Sequence, residues 1–181
     1  LAAIFEYGRG NDDDERKVKE RLRNVWKDLE RLEEETELPK AKEKLTEAVE
    51  SLRVTNHRYG NQETCRIVDE MEKKAKSAMN EKDPRIVEQI TDDIRGFEFA
   101  ILMEDMGFLV GFIKHYDDNF STIGWRNSIE AKKLINEAKK LIASDPSKPG
   151  LQNILAQIFS LLPEGTKPYV EVISRDILAY R

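Results

Sequence analysis

Apolar residues recur three and four positions apart along most of this 181-residue chain, and no other feature restricts its fold as strongly. Val18, Leu22, Val25, Leu29 and Leu32 alternate by four and three, which puts them on one stripe of an α-helix. Ala41, Leu45, Ala48 and Leu52 form a second stripe, and Ile67, Met71, Ala75 and Ala78 a third. Ile86, Val87, Ile90, Ile94 and Phe97 carry a fourth. Leu134, Ile135, Ala138, Leu141 and Ile142 give a fifth, and Leu151, Ile154, Leu155, Ile158, Leu161 and Leu162 a sixth. No segment has the pattern of a strand–turn–strand unit. The expected fold is all-α, an antiparallel bundle of helical hairpins with about six helices.

Punctuation residues set the expected boundaries. Asn11 to Asp14 place a cap and carboxylates at the start of the first helix, where the helix dipole favours negative charge. Trp26 flanks its seam. Two heptads are too few for a self-sufficient coiled coil, so this helix is expected to pack on neighbours. Pro39 is expected to end a linker before the second helix, and Thr55 to Gln62 to form a turn. Asp83 and Pro84 suit the cap and first residue of the next helix. Tyr116 to Asn127 reads as a loop, with Asn127 and Glu130 as a capping box beyond it. Pro163 ends the sixth helix. The tail after Thr166 fits a short helix with Pro168 in its first turn, while Val170 and Val172 leave a strand open. The expected organisation is a linker over 1–13, a helical bundle over 14–116, and a second hairpin with a tail over 117–181.

Two stretches have the same grammar. "AKSAMNEKDPRIVEQI" from Ala75 and "AKKLIASDPSKPGLQNI" from Ala138 each end one helix, turn at Asp-Pro and begin another. Ile90 with Ile154, Ile94 with Ile158 and Phe97 with Leu161 match at a shift of 64, and Ala75 with Ala138 at 63. Both duplication of a hairpin and independent use of Asp-Pro to restart a helix account for this. Under either, Asp83 and Asp145 are expected to cap the helices that follow them.

Charge narrows the partners. Charged residues make up 36% of the chain, in both signs, which suits long solvated helix faces. The net charge of −5 argues against a nucleic-acid partner. The single cysteine, Cys65, cannot form an internal disulfide, so a cytoplasmic, reducing location is expected. Leu1 is not an initiator methionine, and a fragment of a longer polypeptide is one reading of that start. Glu98, Glu104, Asp105 and Lys114 interrupt the apolar region Phe97 to Tyr116, which is therefore read as a buried helix and not a bilayer span.

No catalytic constellation stands out, and neither enzyme activity, cofactor nor metal is expected. His57 and His115 are the two histidines, and Val54 and Phe112 stand where a di-iron bundle needs glutamate. Asp12 to Asp14 lack the spacing and glycine of a calcium loop. His115 to Asp118 suits a polar exit from a helix, and Cys65 lacks an orienting partner for a nucleophile. Gly8 and Gly10 precede no Gly-Lys-Ser/Thr, so no phosphate loop is indicated. Gly107 and Gly111 permit close helix contact. The aromatic group Phe97, Phe99, Phe108, Phe112, Tyr116, Phe120 and Trp125 has two readings, a core or a docking groove. Phe108, Phe112, Phe120 and Trp125 are its candidate contact residues.

From Ile67 to Phe97 the chain resembles part of the helical lid of DnaK-type, seventy-kilodalton heat-shock chaperones. "AMNEKDPRIVEQITDDI", Ala78 to Ile94, has the lid's helix end, short acidic turn and second helix counted from an aspartate. The resemblance covers some 30 to 45 residues, and the region beyond Phe97 is similar to the extended C-terminal helices of divergent bacterial members. It implies a non-enzymatic stress-response domain that covers an unfolded polypeptide or binds a partner helix, without the ATPase. A helical scaffold or adaptor unrelated to chaperones is the alternative.

Overall fold

The computed structural model describes residues 12–169, and its described residues form six α-helices and no strand. They are α1 (Asp12–Tyr59), α2 (Gln62–Ala78), α3 (Pro84–Leu102), α4 (Met106–Asp118), α5 (Ser128–Ser144) and α6 (Lys148–Ser160). The all-α fold expected from the stripes is the one observed.

The first two expected helices are one. α1 runs 48 residues, about 72 Å at the usual rise, and passes through Pro39. Proline inside a helix removes one backbone hydrogen bond and crowds the preceding turn, at a cost of about 3 kcal/mol. What offsets this lies just beyond. Ala41, Leu45, Ala48 and Leu52 are all buried, so the helix is held firmly from the first turn after the proline. Thr36, on the other side, donates its hydroxyl to the Leu32 carbonyl one turn back. Pro39 thus marks where α1 changes from an exposed arm to a packed helix.

Gly60 and Asn61 reverse the chain into α2, a tighter turn than Thr55 to Gln62. A Cβ on Gly60 would lie 2.5 Å from the Asn56 carbonyl oxygen, so only glycine lets the chain turn back this closely. Asn61 caps α2, accepting from the Glu63 and Thr64 amides, while the Thr64 hydroxyl receives the Asn61 amide. This is a capping box built with threonine. Asp83 caps α3 through the Arg85 amide at 2.9 Å, with Pro84 in the first turn, as expected.

The second Asp-Pro turn is built differently. Asp145 closes α5 at its C-terminus, and the Ser147 hydroxyl caps α6 through the Gly150 amide. The expectation that Asp145 caps the next helix is therefore corrected. A second proline at Pro149 fits the first turn of α6, so the cap falls two residues later than in the first turn. Asn127 caps α5 through the Glu130 amide.

Two cores result. One joins the C-terminal half of α1 to α2 and α3, around Leu45, Leu52, Val87 and Ile94. The other joins α4, α5 and α6, around Phe112, Tyr116, Ile135, Leu155 and Ile158. α3 serves both at its end: Ile101 belongs to the first core and the next residue, Leu102, to the second. The apolar region expected as one buried helix breaks at Met103–Asp105, where Asp105 caps α4 through the Phe108 amide. The expected division at 116/117 falls inside the second core, because α4 packs on α5 and α6. Lys148 and Gln152 of α6 reach back to Glu104, and Lys167 pairs with Asp92 of α3.

Candidate interaction surfaces

Burial decides the fate of the aromatic candidates. Phe108 is 3% exposed and Phe112 0%, so both are core residues and not contact residues in this conformation. Their spacing of four places the rings on one face of α4, and that face turns inward. Phe112 meets the rings of Phe99, Phe108, Tyr116 and Phe159 at 5.3–5.8 Å. Aromatic pairs at such distances favour edge-to-face packing, which most of these adopt. The two glycines divide: Gly111 is buried while Gly107 is exposed.

Trp125 and Phe120 lie at the rim. Both are half-buried and stack at 5.5 Å, and the Trp125 indole donates to the Phe120 carbonyl at 3.0 Å. Tyr116 closes the other side of Trp125 at 5.6 Å. Trp125 therefore pins the 119–127 loop onto the core. Phe120 opens onto a groove of about 760 Å³ along α5, shared with Ile129, Lys132, Lys133, Glu137 and Lys140. Ile129 is 82% exposed there. Lys132 lies 4.8 Å over the Phe120 ring and pairs with Asp117, which also receives Lys139. The Lys139 and Lys132 hydrogen bonds hold the Asp117 carboxyl below its ordinary value.

The arm of α1 carries a second surface. Val18, Leu22, Val25, Trp26, Leu29 and Leu32 are 48–65% exposed, so the expectation that this seam packs on neighbouring helices is corrected among the described residues. The stripe is the one legible in the sequence. No described helix comes to cover it.

A third arrangement escaped the sequence. Glu98 is 2% exposed between α1 and α3, and its Oε1 accepts from the Ser51 and Thr55 hydroxyls at 2.6 and 2.7 Å. Its Oε2 is buried without a hydrogen-bond partner among the described residues. In the sequence Glu98 looks like a charge interrupting an apolar run. Only the approach of α1 supplies its donors, from residues more than forty positions away.

The candidates for chemistry occupy exposed or half-buried positions. His57 and Cys65 are exposed, and the Cys65 sulfur receives the Asn56 side-chain amide at 3.3 Å. His115 is half-buried, with its Nδ1 3.3 Å from the Asn119 amide nitrogen. Among the described residues no three His, Cys, Asp or Glu side chains converge to hold a metal ion. Among them, no helix is long and apolar enough to cross a membrane. No protein-family model, curated protein or solved structure matches the chain.

Proposed function

We propose that this chain is a non-enzymatic, protein-binding helical domain. Within that class, the reading best supported is the lid-like C-terminal domain of a DnaK-type chaperone in the cytoplasm. One observation carries it: α1 is at once a long exposed arm and the first helix of a three-helix unit whose hairpin turns on Asp83. A lid needs both parts, a stiff lever and a compact body to move with it. The work would be mechanical, the body closing over a bound unfolded segment and slowing its release.

The test uses the product of the whole reading frame that contains Leu1–Arg181. That frame is expected to encode an ATPase and a β-rich substrate domain. A fluorescent unfolded peptide should leave Leu45→Asp protein about tenfold faster than the parent, because a charge in the first core loosens the lid body. A frame without the ATPase, or an unchanged release rate in a variant whose first core is loosened, refutes the reading.

The adaptor reading draws on a different observation, the groove beside Phe120 and Ile129, which lies in the second unit and outside the lid-like segment. There Ile129→Asp should weaken binding of a partner helix and leave peptide release by a chaperone unaffected.

A further inference from the structure

We propose that the arm of α1 pairs with the arm of a second copy as an antiparallel two-stranded coiled coil. The arm presents Leu22 and Leu29 at one core position of a heptad and Val18, Val25 and Leu32 at the other. All five are about half exposed or more, and so is Trp26 beside them. Each offers on the order of 100 Å², so two arms together would bury roughly 1,200 Å², the lower edge of a specific interface.

The charge pattern selects the partner and its direction. Residues 16–23 carry Arg16, Lys17, Lys19, Arg21 and Arg23 against Glu20 alone. Residues 30–37 carry Glu30, Glu33, Glu34, Glu35 and Glu37 against Arg31 alone. Side by side and parallel, two arms would set like charge against like. Antiparallel, with Leu22 level with Leu32 of the second copy and Val25 level with its Leu29, the basic half lies along the acidic half. Positions 19 and 21, which flank the core, then face glutamates 33 and 35. Near the twofold axis one flank brings the two Trp26 rings together. The other brings together the two Asp28 carboxylates, each already 3.8 Å from its own Arg31. The overlap ends at Thr36, before Pro39 and the three-helix unit begin.

This inference does not depend on the chaperone reading, since an adaptor with the same arm would pair in the same way. An interface at the lower edge of the specific range, formed on an exposed arm, is expected to be weak and reversible, with a dissociation constant on the order of 10–100 µM set by how well the seam packs and not by its area.

The test is sedimentation equilibrium of the full chain from about 5 to 500 µM. A monomer–dimer equilibrium is expected. It should weaken several-fold between 0.05 and 0.5 M salt, because exposed charges are screened. Leu22→Ser/Leu29→Ser should be monomeric throughout, with thermal melting unchanged at about 1 µM, where the parent is monomeric too and both positions are exposed. Lys19→Glu/Arg21→Glu should weaken pairing at least tenfold while leaving the apolar seam intact. Direction is read in a Cys65→Ser background: a mixture of Leu22→Cys and Leu32→Cys chains should form the mixed disulfide, and Leu22→Cys alone should not. A parent chain that stays monomeric at 500 µM overturns the proposal, including one whose Trp26 is shielded by another part of its own chain. A dimer indifferent to Leu22→Ser/Leu29→Ser overturns it as well, and efficient Leu22→Cys self-crosslinking overturns the antiparallel arrangement.

Discussion

Replacing Phe112 with alanine removes a ring that is 0% exposed and touches four other aromatic rings at 5.3–5.8 Å. The cost has two parts, the lost transfer of the ring from water and the cavity left behind, and together they amount to about 3–5 kcal/mol for a buried phenylalanine. Its neighbours sit on α3, α4 and α6, three elements that would have to move together to refill the space, so the upper half of that range is expected. A domain of this size has a total stability of about 5–15 kcal/mol, so the change removes a large part of it. Phe120→Ala is the comparison. That ring is half-buried at the rim, facing an open groove, and its loss should cost about 1 kcal/mol or less. The assay is urea unfolding followed by circular dichroism and by tryptophan fluorescence. Trp125 packs against Tyr116 of the second core and Trp26 stands on the exposed arm, so the fluorescence change on unfolding reports chiefly the second core. If Phe112→Ala and Phe120→Ala cost the same, or if Phe112→Ala costs under 1 kcal/mol, the second core is not packed as described.

Three more outcomes are expected. Ser147→Ala should cost about 0.5–1 kcal/mol, the low end for a helix cap because its bond is 3.3 Å; Asp83→Ala should lower the urea midpoint, and Asp145→Ala should leave it unchanged. Gly96→Ala should stabilise the chain by about 0.5–1 kcal/mol in the same titration, since Gly96 lies inside α3 and an added Cβ meets nothing within 4 Å. Stability measured against pH should fall on acidification: hydrogen bonds from Arg53, Lys148 and Lys139 hold Glu72, Glu104 and Asp117 below their ordinary values of 4.5, 4.5 and 3.8. Carboxyls depressed in the folded state bind more protons when unfolded, so their contribution is complete above about pH 5 and is lost as the pH drops through the folded values. A stability that rises between pH 5 and pH 3 would contradict those pairings.

What the sequence determined by itself is the local part of the structure. Spacings of three and four specify helices because they align apolar side chains on one stripe whatever the neighbours do. Asp83 and Asn127 were legible as caps because a cap bonds amides only two or three residues away. The exposed arm was legible as a stripe, and its opposed basic and acidic halves are plain in the order of the residues.

Tertiary structure decided everything that depends on a distant partner. The apolar seam 18–32 and the seam 41–52 look alike as patterns, yet α2 and α3 pack beside the second and no described helix covers the first. Pro39 carries a helix-breaking signal, and the buried half of α1 beyond it overrides that signal, because burial of several aliphatic side chains outweighs one missing backbone bond. Phe108 and Phe112 turn inward while Phe120, eight residues further, reaches the rim, since α5 and α6 close over one and not the other. Glu98 became a buried acceptor only when α1 brought Ser51 and Thr55 to it. A stripe fixes which side chains face the same way, and the packing of other elements fixes whether that way is inside.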